Sequence, residues 1–167
     1  QRENGDMPHT APNPYSAGGG PFWCAFMIAA SWQTWLNYGD ERLMERYYPN
    51  MCRWLDYAES KCVGGLLKDW GWTEYRNWYL GDWATPKGIN QTDPRSVDLV
   101  GNCVLSESYD LMSRIADVLG NEEDSGRFRE KHERQNDLIH KTFFNPSDNT
   151  YATATQIDMA YPMLVGA

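Results

Sequence analysis

The sequence predicts an all-α fold: a toroid of helical hairpins in which inner and outer helices alternate and long loops gather at one rim. Two observations predict it. The same tight-turn pattern, a glycine followed by a capping residue and a glutamate, occurs at Gly39 and at Gly120 and joins two helical segments each time. In each hairpin the first helix is apolar on most sides, so several neighbours must cover it, whereas the second is charged on one side and belongs outside.

The first hairpin follows an entry loop. Pro and Gly are frequent in residues 1–21, which predicts a loop there. The inner helix is expected from residue 22 to about residue 38, and the outer helix at 41–60. A long loop at 61–93 then leads to the second hairpin.

The second hairpin repeats this order. Asp93 is a natural N-cap for an inner helix that begins at Pro94 and runs to about residue 119. Its outer partner is expected at 122–143, where one face carries most of the charged side chains. The two hairpins share architecture but not residue identities.

The end of the chain predicts one more element. A turn-rich loop at 144–152 precedes an apolar stretch at 153–165, which predicts a further helix or buried segment. Pro162 is expected to kink or end it, because proline removes a helical hydrogen bond. We expect the whole chain, 1–167, to form a single partial domain.

The topology predicts which connections share an end. The tight turns at Gly39 and Gly120 both follow the C-terminal ends of inner helices, so they lie together. The long loops at 1–21, 61–93 and 144–152 lead into the N-terminal ends of inner helices, so they lie together at the other end. Long loops on a rigid scaffold commonly carry binding and catalysis.

The loop at 61–93 concentrates aromatic and acidic side chains. Aromatic faces pack on the apolar C–H faces of sugars, and carboxylates accept hydrogen bonds from sugar hydroxyls, so this composition favours a sugar-binding site. A core hairpin that is merely aromatic agrees equally well with the composition. The cluster consists of Asp69, Trp70, Trp72, Glu74, Tyr75, Trp78, Tyr79, Asp82 and Trp83.

Single residues of the loops are candidates for sugar binding. Trp23 stands in the first turn of an inner helix, directly after three glycines that let the backbone approach a ligand. Three alternative roles agree with the position of Asp82: a helix or turn cap, an acceptor for a sugar hydroxyl, or a proton-transfer group. His9 bonds a sugar hydroxyl or holds its own loop. The predicted sugar-binding residues are Trp23, Trp78, Asp82, Trp83, His9 and Gln156.

Carboxyl groups near the cluster are candidates for acid–base chemistry. Glycoside hydrolysis requires two, one to protonate the leaving oxygen and one to activate water or attack carbon. Asp69, Glu74, Asp82 and Asp93 lie in or beside the cluster. From the residues alone, none of them is assigned as the catalytic acid or base.

Composition and spacing argue against several other functions. A net charge of −8 argues against nucleic-acid partners, and no apolar run reaches the length of a membrane span. No metal or cofactor is expected, because the histidines and cysteines lack metal-ligand spacing. His132 and His140 are expected to be solvated on the charged outer helix, and Cys24 and Cys103 to be buried.

Three segments, 8–23, 77–86 and 151–158, resemble parts of the (α/α)6 catalytic barrel of bacterial α-L-rhamnosidases. The first includes Pro-Phe-Trp, the second includes Gly-Asp-Trp, and the third contains Thr-Gln-Ile-Asp. The resemblance covers essentially the whole chain. It implies a partial (α/α)6 toroid and, for the family, inverting hydrolysis by a carboxylic acid and a carboxylate base.

The resemblance also carries roles for individual residues. Trp23 and Trp83 match tryptophans that wall the family's sugar pocket, and Asp82 matches the acidic residue of its Gly-Asp-Trp motif. The family's general acid lies before the matched region and its base after it. Ala25 stands where many members carry an acidic residue, which leaves open a preference for L-rhamnose, another deoxy sugar or a uronic acid.

The chain is therefore expected to be an interior part of a larger glycoside hydrolase, inactive by itself. Its expected partners are a carbohydrate substrate and the rest of the parent polypeptide, in the periplasm or outside the cell. Two other functions agree with the sequence. One is a non-catalytic carbohydrate-binding helical module, and the other is a helical-repeat scaffold whose tryptophans bind protein.

Overall fold

The computed structural model describes residues 1–71, 76, 77, 79, 81, 84–86, 88, 89 and 92–167. Helices dominate this part of the chain, so the all-α prediction is confirmed. The helices are α1 Gly20–Cys24, α2 Phe26–Tyr38, α3 Arg42–Glu59, α4 Pro94–Val118, α5 Glu122–Phe143 and α6 Gln156–Val165.

The short strands of the described residues lie in the entry loop before α1 and in the connections between helices. They are β1 Ala17–Gly18, β2 Cys62–Val63, β3 Leu66–Leu67, β4 Arg76–Asn77, β5 Ala84–Thr85, β6 Gly88–Ile89, β7 Phe144–Asn145 and β8 Thr150–Tyr151. The pairs β2–β3, β5–β6 and β7–β8 are antiparallel hairpins. Strand β1 pairs in parallel with β4, which joins the entry loop to the loop at 61–93.

Both predicted tight turns are present. Gly39 has φ +63° and donates its N–H to the Trp35 carbonyl at 2.7 Å. Gly120 has φ +72°, and the next residue, Asn121, donates its N–H to Ala116 at 2.8 Å, which closes the last turn of α4. Asn121 then caps α5 by accepting from the Asp124 N–H.

Asp40 does not occupy the N-cap position predicted for it. Helix α3 begins at Arg42, and Glu41 stands at its N-cap without a side-chain capping bond. The Asp40 carboxylate still accepts the Arg42 N–H at 3.1 Å and the Arg42 side chain at 2.6 Å. The Asp40 side chain thus accepts the first N–H of α3 from the position before the N-cap, and not from the N-cap itself.

The first inner helix is interrupted, which the sequence did not predict. Helix α1 begins at Gly20, with Pro21 in its first turn, and ends at Cys24. The N–H of Ile28 bonds the carbonyl of Ala25 at 3.0 Å, a tighter i to i+3 pattern, before α2 continues. The interruption falls at Ala25, a residue that is 8% exposed.

Helix α4 is the inner helix of the second hairpin. Most of its residues are buried, and α1, α2, α3, α5 and α6 all contact it. Small residues such as Gly101 and Ser106 are fully covered, as expected for a helix with neighbours on several sides. Outer helices α3 and α5 bury one side each, and Trp54 and Phe128 are fully buried between the helices.

Helix α2 is covered much less than its predicted inner position requires. It buries only Ile28 and Ser31. Phe26 is 46% exposed and Leu36 is 53% exposed. Among the described residues, no second helical layer covers this apolar side.

The final helix, α6, follows its prediction with one difference. It begins at Gln156 after Thr155, whose side chain accepts the Asp158 N–H. Pro162 lies inside the helix and does not end it. The helix ends instead at Gly166, which has φ +82° and a left-handed conformation that suits glycine.

The predictions for the cysteines and for the two histidines of the outer helix had different outcomes. All four cysteines are free, and burial raises the pKa of the Cys24 and Cys103 thiols to about 12. The prediction for His132 was wrong: its Nδ1 lies 2.9 Å from the Ser106 hydroxyl, against α4. His140 is exposed, as expected, although it bonds the Tyr151 hydroxyl at 2.7 Å.

Two glycines with open space around them test the turn assignment. Gly120→Ala is expected to lower the free energy of unfolding by about 1 kcal/mol, because φ +72° strains any residue with a Cβ. Gly126→Ala, inside α5, is expected to raise it by up to about 1 kcal/mol. A Cβ at either position meets no atom within 4 Å, so packing does not separate them. Urea unfolding measures both variants, and shifts of the same sign would contradict the assignment.

Candidate functional site

Two loop segments meet at the N-terminal half of α4. A Cβ built on Gly101 would lie 2.5 Å from the Tyr79 hydroxyl and 3.3 Å from Cγ of Pro21, so the missing side chain lets both residues approach. Gly81 packs in the same way against Val97. The entry loop and the loop at 61–93 therefore reach the same turns of α4, as the topology predicts.

The tight turns lie at the other end of the helices. The Tyr48 hydroxyl, near the start of α3, donates to Asp124 Oδ2 at 2.8 Å, beside the turn at Gly120. The guanidinium of Arg114, late in α4, lies 6.0 Å from the ring of Trp32 in the middle of α2. Long loops and tight turns therefore occupy opposite ends, and we use the term rim for the N-terminal end of α4.

Trp23 lies at the rim and is partly buried. A Cβ on Gly19 would lie 2.4 Å from Cδ1 of the indole, so the ring packs directly on the glycine backbone. Phe22, which is 43% exposed, contacts the indole edge-on with ring centroids 5.8 Å apart. The glycine run therefore has a specific role: it makes room for the Trp23 ring.

His9 holds its own loop. Its Nδ1 lies 2.9 Å from the Ala17 carbonyl, and its backbone N–H donates to the same oxygen at 3.1 Å. Asn13 also bonds Ala17, with its amide nitrogen on the carbonyl and its amide oxygen on the N–H. These bonds support the structural interpretation of His9, and a contact between His9 and sugar stays a prediction.

Gln156 is the first residue of α6 and is exposed. Its side chain forms no hydrogen bond with any residue in the described part of the chain. Its position at the N-terminal end of a helix that packs on α4 places it at the rim. The remaining predicted sugar-binding residues, Trp78, Asp82 and Trp83, lie outside the described residues.

Two members of the aromatic cluster belong to the core. Trp70 contacts Tyr57 and Tyr79 edge-on, with ring centroids 5.7 and 5.4 Å apart. Both Trp70 and Tyr79 pack against the main hydrophobic core. The Tyr79 hydroxyl is buried and finds no hydrogen-bond partner in the described structure, and burial raises its pKa. The core interpretation therefore applies to these two rings, while Trp72, Glu74 and Tyr75 lie outside the described residues.

The two described candidate carboxylates have structural partners. Asp93 caps α4 by accepting the Arg95 N–H at 2.8 Å. Asp69 accepts the Gly71 N–H at 2.8 Å in a turn and is exposed. Both side chains are exposed, and each accepts a backbone N–H of its own segment.

Sequence reasoning missed Asp158, which is fully buried at the rim. Its carboxylate accepts from the Ser96 hydroxyl at 2.5 Å and from the N–H and hydroxyl of Thr153 at 2.9 and 2.6 Å. The residues on either side of Thr153, Ala152 and Ala154, adopt φ +44° and +59°, which is unfavourable for residues other than glycine. Asp158 therefore ties the strained loop before α6 to the first turn of α4.

One local signal could have indicated Asp158. Thr155 followed three residues later by an acidic residue is a helix-start pattern in which both side chains bond backbone N–H groups. Here Thr155 accepts the Asp158 N–H, but Asp158 turns to Thr153 and Ser96 instead. The contact with Ser96 joins residues 62 positions apart, which no local pattern reveals.

The family model of the bacterial alpha-L-rhamnosidase six-hairpin glycosidase domain matches residues 1–167. The chain belongs to this family. Among curated relatives, the alpha-L-rhamnosidase of Alteromonas sp. (strain LOR) is 24% identical, and the match covers 98% of this chain and 18% of that protein. An alpha-L-rhamnosidase of Streptomyces avermitilis is 26% identical, with 72% of this chain and 10% of that protein covered.

Solved structures share the six-hairpin fold. The crystal structure of Streptomyces avermitilis alpha-L-rhamnosidase complexed with L-rhamnose aligns with a TM-score of 0.82 at 21% identity, covering 99% of this chain and 15% of that one. Alpha-L-rhamnosidase from Dictyoglumus thermophilum aligns with a TM-score of 0.80 at 20% identity, covering 99% and 18%. The chain thus spans less than a fifth of the length of each of these proteins, and the likeness shows a common fold.

The Asp158 contacts predict a specific loss of stability. Asp158→Asn is expected to lower the free energy of unfolding by about 2 kcal/mol, because an amide at this buried position cannot accept from all three donors. Asp148→Asn is the matched control. Asp148 accepts the N–H and hydroxyl of Thr150 in the same way but is exposed, so we expect a change below about 0.5 kcal/mol. Equal losses in urea unfolding would contradict the role of Asp158.

Proposed function

We propose that this chain is part of an inverting glycoside hydrolase that removes terminal α-L-rhamnose from glycans. One observation carries the proposal: a chain of the six-hairpin glycosidase family places the partly buried indole of Trp23 at the rim where its loops meet. An indole face offers apolar area to the C–H face of a sugar. A 6-deoxy sugar such as L-rhamnose adds a methyl group to that face.

The relatives support the choice of sugar. Those described above are named as alpha-L-rhamnosidases, and the solved Streptomyces avermitilis protein is described as complexed with L-rhamnose. We propose the same substrate class for the protein that contains this chain. Another deoxy sugar or a uronic acid is the alternative that Ala25 leaves open.

We propose that this chain supplies substrate contacts rather than the acid and base. Inverting enzymes place two carboxyl groups about 6.5–9.5 Å apart, with one of them protonated. Among the described rim carboxylates, Asp93 caps a helix and Asp158 has three hydrogen-bond donors around it. The proton-transfer groups are then provided by the rest of the parent polypeptide, which is the arrangement that the resemblance implies.

The location of the enzyme is also a proposal. The periplasm or the cell exterior is the location we propose for an enzyme that degrades glycans. None of the helices in the described structure combines the length and the apolar character that crossing a bilayer requires.

The activity is tested with the protein that contains this chain. We expect it to cleave an aryl α-L-rhamnoside with inversion, so that proton NMR detects β-L-rhamnose as the first product. The isolated chain of 167 residues is expected to show no turnover. Turnover by the isolated chain, retention of configuration, or cleavage of an aryl uronide with no cleavage of the rhamnoside would each contradict the proposal.

The role of Trp23 is tested by comparing two tryptophans. Trp23→Ala in the full-length protein is expected to lower kcat/KM for the aryl rhamnoside roughly tenfold or more, with a small change in Tm. Trp35→Ala is the matched control, because Trp35 stacks on Trp32 with centroids 4.9 Å apart, far from the rim. It should lower Tm and leave kcat/KM nearly unchanged. Trp83→Ala is expected to behave like Trp23→Ala, and an equal loss of activity in the control would contradict the assignment.

A further inference from the structure

A concave site lies on the described part of the chain. A cavity of about 170 Å³ opens between the C-terminal end of α3, the hairpin of β2 and β3, and the middle of α4 and α5. Its lining includes none of the described candidates for sugar binding, which are His9, Trp23 and Gln156. The residues that carry the following inference are Glu59, Tyr109, Lys131, Arg134, Gln135 and Leu138.

The orientation of the Gln135 amide is fixed by its neighbours. Asn102 accepts the N–H of Leu67 at 2.8 Å and donates to the carbonyl of the same residue at 3.1 Å, which sets the Asn102 oxygen and nitrogen. The Gln135 nitrogen donates to that Asn102 oxygen at 2.8 Å. Gln135 is 5% exposed, and its carbonyl oxygen accepts no hydrogen bond from the described residues. A buried acceptor therefore remains available at the cavity.

Glu59 and Lys131 form a pair at the cavity wall. Glu59 Oε1 accepts from the Tyr109 hydroxyl at 3.0 Å and from Lys131 Nζ at 2.5 Å. Burial and the nearby Glu59 raise the pKa of Tyr109, so its hydroxyl stays protonated and donates. Lysine has three N–H donors, so Lys131 keeps donors beyond the one that Glu59 accepts. Glu59 Oε2 accepts no hydrogen bond within the described part of the chain.

The charges at the cavity do not cancel. Lys131 balances Glu59, whereas the exposed Arg134 forms no ion pair or hydrogen bond with any described residue. The site therefore keeps one positive charge in excess. An arginine guanidinium pairs bidentately with a carboxylate, which makes a monoanion the complementary ligand.

The size of the cavity limits the ligand. Its volume is below the roughly 300 Å³ at which pockets for drug-sized molecules begin, so it accommodates no more than one small ring. The Tyr109 ring and Leu138 supply an apolar wall, and the Gln135 and Glu59 oxygens supply two acceptors. Acceptors beside a cation suit a ligand that carries hydroxyl groups as well as a carboxylate.

We propose that this cavity binds a single hydroxylated monocarboxylate of the size of one sugar acid. Its carboxylate pairs with Arg134 and Lys131. Its hydroxyl groups donate to the carbonyl oxygen of Gln135 and to Oε2 of Glu59. The inference does not depend on the reaction proposed above, because it uses none of the residues assigned to the rhamnoside.

The test is a calorimetric titration of the full-length protein with D-glucuronate, compared with D-glucose and with acetate. We expect saturable glucuronate binding with a Kd of about 1 mM, and weaker binding of both comparison ligands. Arg134→Gln is expected to weaken glucuronate binding about tenfold. Arg129→Gln, on the same helix, removes a charge that pairs with Asp117 outside the cavity, and it should leave the Kd unchanged.

Several outcomes would overturn the proposal. Absence of saturable binding rejects the site. If D-glucose binds as tightly as D-glucuronate, the proposed contact with the carboxylate is wrong. If acetate binds as tightly as D-glucuronate, the proposed contacts with the hydroxyl groups are wrong. If the Arg134 and Arg129 variants weaken glucuronate binding equally, the binding results from the overall charge of the helix and not from a specific site. Loss of glucuronate binding in Trp23→Ala, with Arg134→Gln unaffected, places the ligand at the rim.

Discussion

The close packing of other segments on the N-terminal half of α4 is the constraint on which this structure depends. Gly101 has no side chain, so Tyr79 and Pro21 reach the helix backbone. Asn102 bonds both the N–H and the carbonyl of Leu67, and Ser96 donates to the buried Asp158. These contacts hold the entry loop, the loop at 61–93 and the start of α6 against the same turns of one helix. The shared rim follows from these small and polar residues, since large apolar side chains there would hold the connections apart.

The parts of the fold that depend on local chemistry could be predicted from the sequence. Left-handed glycines at Gly39 and Gly120 and the Asp93 cap require only neighbouring residues, and all three are present. The contact of His132 with Ser106 joins residues 26 positions apart, so no local pattern indicates it, and the break at Ala25 was not predicted either. For helix α2 the sequence predicts more than the described structure contains. Its apolar surface predicts neighbouring helices on several sides, but only Ile28 and Ser31 are buried.

The candidate site divides in the same way. Trp23 was recognisable because it follows a glycine run at a helix start, and the structure explains the run by the contact between Gly19 and the indole. His9 was ambiguous, since a loop histidine bonds a ligand or its own backbone, and its contacts with Ala17 favour the backbone. The buried contact of Asp158 could not be predicted because its partner Ser96 is remote in sequence, and the local pattern that begins at Thr155 indicates only a helix start. Composition could not separate core rings such as Trp70 from rings that face a ligand.

The proposed function assigns substrate contacts to this chain and proton transfer to the rest of the parent polypeptide, and the rim is the surface that a sugar is expected to contact. Hydrogen–deuterium exchange of the full-length protein, with and without saturating L-rhamnose, tests this most directly. The account predicts slower exchange in peptides that cover residues 16–25 and 152–158, and unchanged exchange in those that cover 38–41 and 119–122. Slower exchange confined to the tight-turn end, or no change at either end with the sugar bound, would contradict it.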